Sequence, residues 1–162
     1  MKKMKNSVKC LIAFFAMATA FCTTGVTAKA AVTLQQVDAG ESSVKIQWNQ
    51  QTGAKWYGYE VATDATFNNI VQSDETSSTN LPLSGLSAGS TYYVRVGYGS
   101  DFKNCKNDMS APLEVVTAPV EPTAVKFVGA DDTTVTLAYD ACAGATGYDI
   151  EYNNGIVGTT TD

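Results

Sequence analysis

Histidine is absent from all 162 residues. A Ser-His-Asp triad, a Cys-His nucleophile pair, a histidine general base and any His-ligated zinc are therefore excluded before motifs are considered. Charge is sparse, at 17% of residues, and proline occurs only at Pro82, Pro112, Pro119 and Pro122. The four cysteines, Cys10, Cys22, Cys105 and Cys142, are too few for a disulfide scaffold. No apolar run reaches the roughly 20 residues that cross a bilayer as a helix. The longest, Cys10 to Cys22, is about 13 residues. With 13 glycines and 44% hydrophobic residues, the remaining composition is that of an ordinary globular chain, large enough for one or two domains.

The apolar run is preceded by Lys2, Lys3, Lys5 and Lys9 and followed by small residues ending in Ala28-Lys29-Ala30. This is the three-part pattern of an export signal, residues 1–30, recognised through Ala28 and Ala30 and cleaved after Ala30. Cys22 follows Phe21 rather than a small residue, so lipid anchoring at that cysteine is not expected. Residues 1–30 hold five of the eleven basic residues and none of the sixteen acidic ones, which leaves six basic against sixteen acidic residues, a net charge of −10, in residues 31–162. Such a surface disfavours nucleic acid and anionic membranes, whose phosphates require clustered Lys or Arg. It also keeps an exported domain in solution.

After residue 31 no window holds apolar residues at helical spacing, whereas period-two alternation recurs between clusters of Gly, Asn, Asp, Ser and Pro. Val44, Ile46 and Trp48 alternate with Lys45 and Gln47. Tyr57, Tyr59 and Val61 alternate with Gly58 and Glu60, and Tyr92, Val94 and Val96 with Tyr93 and Arg95. Weaker candidates are Val32 to Val37, Ile70 to Ser73, Asn80 to Leu83 and Leu113 to Thr117. Seven short strands within about 86 residues predict an all-β fold, an immunoglobulin-like antiparallel seven-stranded sandwich.

The pattern then starts again. Val44, Ile46 and Trp48 recur as Val135, Leu137 and Tyr139, Gly53-Ala54 as Gly144-Ala145, and the Tyr59-x-Val61 pair as Tyr148-x-Ile150. A period near 90 residues indicates tandem domains, since solenoid repeats are about 20 to 50 residues long. The expected organisation is a first domain at 31–117, a stiff linker Ala118-Pro119-Val120-Glu121-Pro122, and an incomplete, truncated second copy at 123–162. About 40 residues rarely bury enough surface to fold alone, so Val135, Leu137 and Ile150 are expected to lack covering strands.

These residues resemble the fibronectin type III family. Trp48 on the second strand, Tyr59 and Val61 on the third, and the run Leu86-Ser87-Ala88-Gly89-Ser90-Thr91-Tyr92-Tyr93-Val94-Arg95-Val96 match its pattern. The resemblance implies that Leu86 plugs the core and that the Tyr92 hydroxyl bonds back to the turn, with Ala88 standing where the family usually has Pro. It covers residues 32–117 fully and 123 to about 157 in part. The core it implies comprises Trp48, Tyr59, Val61, Leu86, Tyr92, Val94 and Val96, with Tyr139 and Tyr148 in the second copy. In this fold the loop carrying Cys105 and the turn carrying Cys142 lie about one module length apart, too far for a disulfide, whose α-carbons stand within ~7 Å.

Candidate chemistry is thin. Ser42-Ser43-Val44-Lys45 matches the S-x-x-K of serine acyl-enzymes, but on a strand residues three apart face opposite ways. The acid pairs Asp74-Glu75 and Asp131-Asp132 read as solvated turn or surface residues. Calcium at Asp101, Asp108 or Asp131 lacks the ligand spacing of a dedicated loop, and Asx turns account for them. No catalytic, metal or cofactor site is expected. The sharper feature is the loop Tyr98 to Asp108, which mixes aromatics with both charges. Phe102 and Lys103 in it, with Trp56 from another loop at the same end, would form a contact surface for protein or sugar. The alternative is that Tyr98 continues the inward alternation and Phe102 caps the core. The expectation is a monomeric, secreted or cell-surface module of a bacterial-type protein, a non-catalytic spacer or interaction region. The alternative is the accessory region of a larger extracellular carbohydrate-active enzyme.

Overall fold

The alternation of Val44, Ile46 and Trp48 becomes a strand with one buried and one exposed face, whereas in the runs 57–61 and 92–96 the alternate positions are buried or half-buried as well. The structure, a computed structural model, describes residues 7–10, 31–152 and 155–161. Its strands are β1 Ser7–Cys10, β2 Leu34–Gly40, β3 Ser43–Trp48, β4 Trp56–Ala62, β5 Ile70–Thr76, β6 Asn80–Ser84, β7 Thr91–Gly99, β8 Leu113–Val116, β9 Lys126–Ala130, β10 Val135–Ala138, β11 Gly147–Tyr152 and β12 Gly155–Thr161.

In residues 31–117 one sheet has the order β2-β3-β6 and the other β5-β4-β7-β8, with every pairing antiparallel. The inward residues of the two sheets meet in a single core. Val44, Ile46, Trp48, Leu81 and Leu83 come from the first sheet, and Tyr57, Val61, Tyr92, Val94, Val96 and Val115 from the second. Each such side chain stabilises the fold by roughly 1.5–3 kcal/mol through apolar burial. The Gln36 side chain joins the sheets at one edge. Its amide nitrogen donates to the Val116 carbonyl at 2.8 Å, and its oxygen accepts from Val116 N–H at 3.1 Å.

Leu86 is buried under the turn before β7, and the Tyr92 hydroxyl accepts from Ser87 N–H at 2.9 Å. The fully buried Thr117 hydroxyl closes the same end, accepting from Ser90 N–H at 2.9 Å and donating to the Ser87 carbonyl at 2.7 Å. One expectation needs correcting. The deeply buried ring of β4 is Tyr57, whereas Tyr59 is half-buried at the rim of the core. Both rings lie on the inward face, but only Tyr57 sits against Trp48, at 5.4 Å between ring centroids.

Residues 126–150 reproduce the first strands of that unit in detail. The β9–β10 pairing matches Val135 to Ala130 and skips Val128, as the β2–β3 pairing matches Val44 to Ala39 and skips Val37. Tyr139 contacts Tyr148 as Trp48 contacts Tyr57. The Tyr148 hydroxyl accepts from Cys142 N–H at 2.7 Å, as the Tyr57 hydroxyl accepts from Gln51 N–H at 3.0 Å. Tyr148 is thus the counterpart of Tyr57 and not, as the spacing first implied, of Tyr59. Burial recurs at Tyr148, which is as buried as Tyr57, but not on β9 and β10. Val135, Phe127 and Val128 are all more than half exposed, and Tyr139 is only partly buried.

Two further departures concern the ends. Gly155–Thr161 forms a strand beyond Ile150, where the recurring pattern read from the sequence ends. Ser7–Cys10, expected within the export signal, pairs antiparallel with β11 at Val8 opposite Ile150 and Cys10 opposite Tyr148. That is the side on which β4 pairs with β7, so an otherwise open strand edge is occupied. Ala28 and Ala30 lie outside the described residues. Among the described residues no helix is long and apolar enough to cross a membrane.

Candidate binding surface at Trp56 and Phe102

Gly58 on β4 and Gly97 on β7 are direct cross-strand partners on the outward face, beneath the chain from Ser100 to Asp108. Their missing side chains leave a bare strip of sheet. A Cβ at Gly97 would stand 2.3 Å from the Cys105 carbonyl oxygen, and one at Gly58 2.3 Å from Lys106 Cγ. The loop therefore folds back over the sheet instead of standing off its end. Sequence reading found its length and aromatics but missed this placement, although glycine at two adjacent outward positions was a usable signal.

The loop is stitched along its length. The Asp101 carboxylate accepts from the backbone N–H of Lys103 at 3.0 Å and of Asn104 at 3.1 Å, and from the Asn104 side-chain amide at 2.9 Å. The Cys105 thiol is fully buried and donates to the Phe102 carbonyl at 3.1 Å. Burial, helped by the nearby Glu75 carboxylate, pushes its pKa up, so it stays a protonated packing group. Lys106 reaches β5, where its ammonium meets the Glu75 carboxylate at 2.5 Å and the Ser73 hydroxyl at 3.1 Å. At the far end Ser110 N–H donates to the Val96 carbonyl at 2.9 Å, and the Ser110 hydroxyl accepts from Val96 N–H at 3.1 Å.

This anchoring presents Phe102, 54% exposed, against Trp56, 37% exposed. Their ring centroids are 5.8 Å apart and the planes cross at 87°. Trp56 is itself fixed where β4 begins, because the adjacent Lys55 N–H donates to the Gly99 carbonyl at 2.9 Å. Lys103 is exposed beside Phe102. Phe102 therefore does not cap the core. Tyr98 does pack against it, half-buried and 6.4 Å from Tyr57.

The other candidates are dispersed. Ser42 lies in the β2–β3 turn, where its carbonyl accepts from Leu86 N–H, and Lys45 is exposed on β3. Asp74 stands opposite Tyr59, whose pKa is raised first by burial and then by that carboxylate, while Glu75 is engaged with Lys106. Asp131 accepts from the backbone N–H groups and hydroxyls of Thr133 and Thr134. Asp101 is likewise taken up by its own loop. Among the described residues no three His, Cys, Asp or Glu side chains are grouped to hold a metal ion. Cys105 and Cys142 are both free thiols.

The fibronectin type III domain family matches residues 30–115, more than half of the chain. The chain belongs to the fibronectin type III family. Solved structures similar to it include the fibronectin type III domain of human collagen alpha-1(XX) chain, at 16% identity and TM-score 0.46, covering 62% of this chain and 99% of that one. The sixth such domain of human fibronectin type III domain containing protein 3 is 17% identical, with TM-score 0.45, covering 62% of this chain and 96% of that one. PhoD is 20% identical over 58% of this chain, with TM-score 0.44, and the chain spans 20% of PhoD's length. No curated protein matches the chain.

Proposed function

We propose that residues 31–117 are a non-catalytic extracellular fibronectin type III module that acts as a spacer and meets a protein partner through Trp56 and Phe102. In this reading residues 1–30 are an export signal cleaved after Ala30, and residues 123–162 begin a second module. The observation that carries the binding role is the exposed edge-to-face pair of Trp56 and Phe102 on a loop stitched by Asp101, Cys105 and Lys106. Exposed aromatics that need no reordering supply binding energy at low entropic cost. Rings crossing at 87° make a corner, which suits an apolar side chain or a loop better than the flat face of a sugar. The recurrence of strand register, skipped residue, glycine turn and tyrosine bond supports the second module.

The test is a double variant, Trp56→Ala with Phe102→Ala, assayed against the extracellular proteins of the producing organism and against a glycan array. We expect at least one protein ligand to be weakened more than about tenfold, with the melting temperature of residues 31–117 unchanged. Binding that survives the double variant sinks the reading. Loss confined to glycans replaces the partner class, and loss of folding returns both rings to a structural role.

A further inference from the structure

Four described glycines have positive φ, namely Gly53, Gly85, Gly89 and Gly144, at 77°, 75°, 57° and 78°. Each sits in a turn that strains a residue with a Cβ. Two of them differ from the others in their surroundings. Around Gly53 and Gly85 a Cβ would meet nothing within 4 Å. On Gly89 it would stand 2.1 Å from the Ala143 carbonyl oxygen, and on Gly144 it would stand 2.5 Å from the Gly89 carbonyl oxygen. The turn before β7 and the turn before β11 therefore touch backbone to backbone.

The comparison of Gly53 with Gly144 isolates the cause. Both occupy the same position of the same turn, closed by Ala54 N–H on the Gln51 carbonyl and by Ala145 N–H on the Cys142 carbonyl, each at 3.1 Å. The turn explains their shared φ but not the crowding, which only Gly144 has. The linker supplies an independent restraint. Ala118 N–H donates to the Gly40 carbonyl at 2.9 Å, and its own carbonyl accepts from Gly89 N–H at 2.9 Å. The linker thus leaves the first module directly beside the contact, and Pro119 and Pro122 then restrict its φ angles.

We infer that Gly89 and Gly144 form a steric lock that holds the first module and residues 123–150 as one rigid unit. The inference deepens the spacer part of the proposed function and rests on that reading for its purpose. β7 starts just after Gly89 and ends beside Trp56, so at about 3.3 Å per residue its length holds the Trp56–Phe102 pair some ~25–30 Å from the lock. Rigidity then fixes the direction in which those rings point relative to the chain that follows.

Residual dipolar couplings and ¹⁵N relaxation on the full chain test this without any partner. In the wild type, amides of β2–β8 and of β9–β11 should share one alignment tensor and one correlation time. Gly89→Asn and Gly144→Asn should each separate the two tensors, since Asn tolerates the left-handed conformation but adds the Cβ. Gly85→Asn and Gly53→Asn carry the same backbone demand in open space and should leave the shared tensor intact. Separate tensors in the wild type overturn the inference. So does a shared tensor in both junction variants, or separation that appears equally in the controls. A shared tensor together with partner binding that ignores Trp56 and Phe102 would leave the lock standing and remove the proposed function instead.

Discussion

Residues 51–57 and 142–148 carry the same turn, with the same glycine conformation, the same backbone bond and the same tyrosine hydroxyl accepting an amide hydrogen. In the first region this turn closes a filled core. In the second the Tyr148 ring is buried too, but the apolar residues Phe127, Val128 and Val135 of β9 and β10 remain mostly exposed. Turn chemistry follows residues a few positions apart, whereas burial needs a facing sheet. In the first unit β6 flanks β3, and β4-β7-β8 covers it. Among the described residues β10 pairs only with β9.

Mutations can break this comparison. Trp48→Ala should cost residues 31–117 about 3–5 kcal/mol in urea unfolding, because it empties the centre of a closed core. Tyr139→Ala, at the matching position, should shift that transition by less than about 1 kcal/mol. Equal losses would show that the two regions unfold as one. Removing the tyrosine hydroxyls should have a smaller effect. Tyr57→Phe leaves the Gln51 N–H buried and unpaired, at about 1–3 kcal/mol. Tyr148→Phe should cost at most about 1 kcal/mol, since half-exposed Cys142 can turn to water.

The smallest effect should be common to both regions. Asp64, half-buried in the first, and Asp131, exposed in the second, each have a pKa lowered from 3.8 to about 2. For Asp64 the main cause is the Thr66 hydroxyl, followed by the Asn69 and Asn68 amides. For Asp131 it is the Thr133 amide, followed by the Thr134 hydroxyl. Hydrogen bonds to the charged form favour it in the fold. Their contribution is therefore complete above pH 3.8 and lost as the pH falls towards 2. NMR titration of the two carboxyls should give matching midpoints despite the different burial around them. A midpoint near 3.8 for Asp131 alone would mean that its turn forms only with support from a packed core.

Much of the architecture was legible because alternation at Val44, Ile46 and Trp48, and at Tyr92, Val94 and Val96, depends only on the pleat of a strand. The corner at Leu86 and Tyr92 was legible from its local run. Depth was not. Tyr57 and Tyr59 share a face, and only contact with Trp48 separates the buried ring from the rim. The same gap displaced the counterpart of Tyr148 by two residues. At the candidate surface Trp56, Phe102 and Lys103 were visible as residue types. The buried Cys105, the Lys106–Glu75 pair and the bare strip at Gly58 and Gly97 were not, because they join β4, β5 and β7 to the loop that covers them.

The amino-acid order alone determined which residues share a face, where the chain turns and that the pattern begins again after residue 123, since each depends on neighbours a few positions away. Tertiary structure decided which apolar faces are covered, that the loop lies on the sheet with Phe102 against Trp56, and that Gly89 meets Gly144. These outcomes join residues tens of positions apart, and close packing rather than local preference selects them.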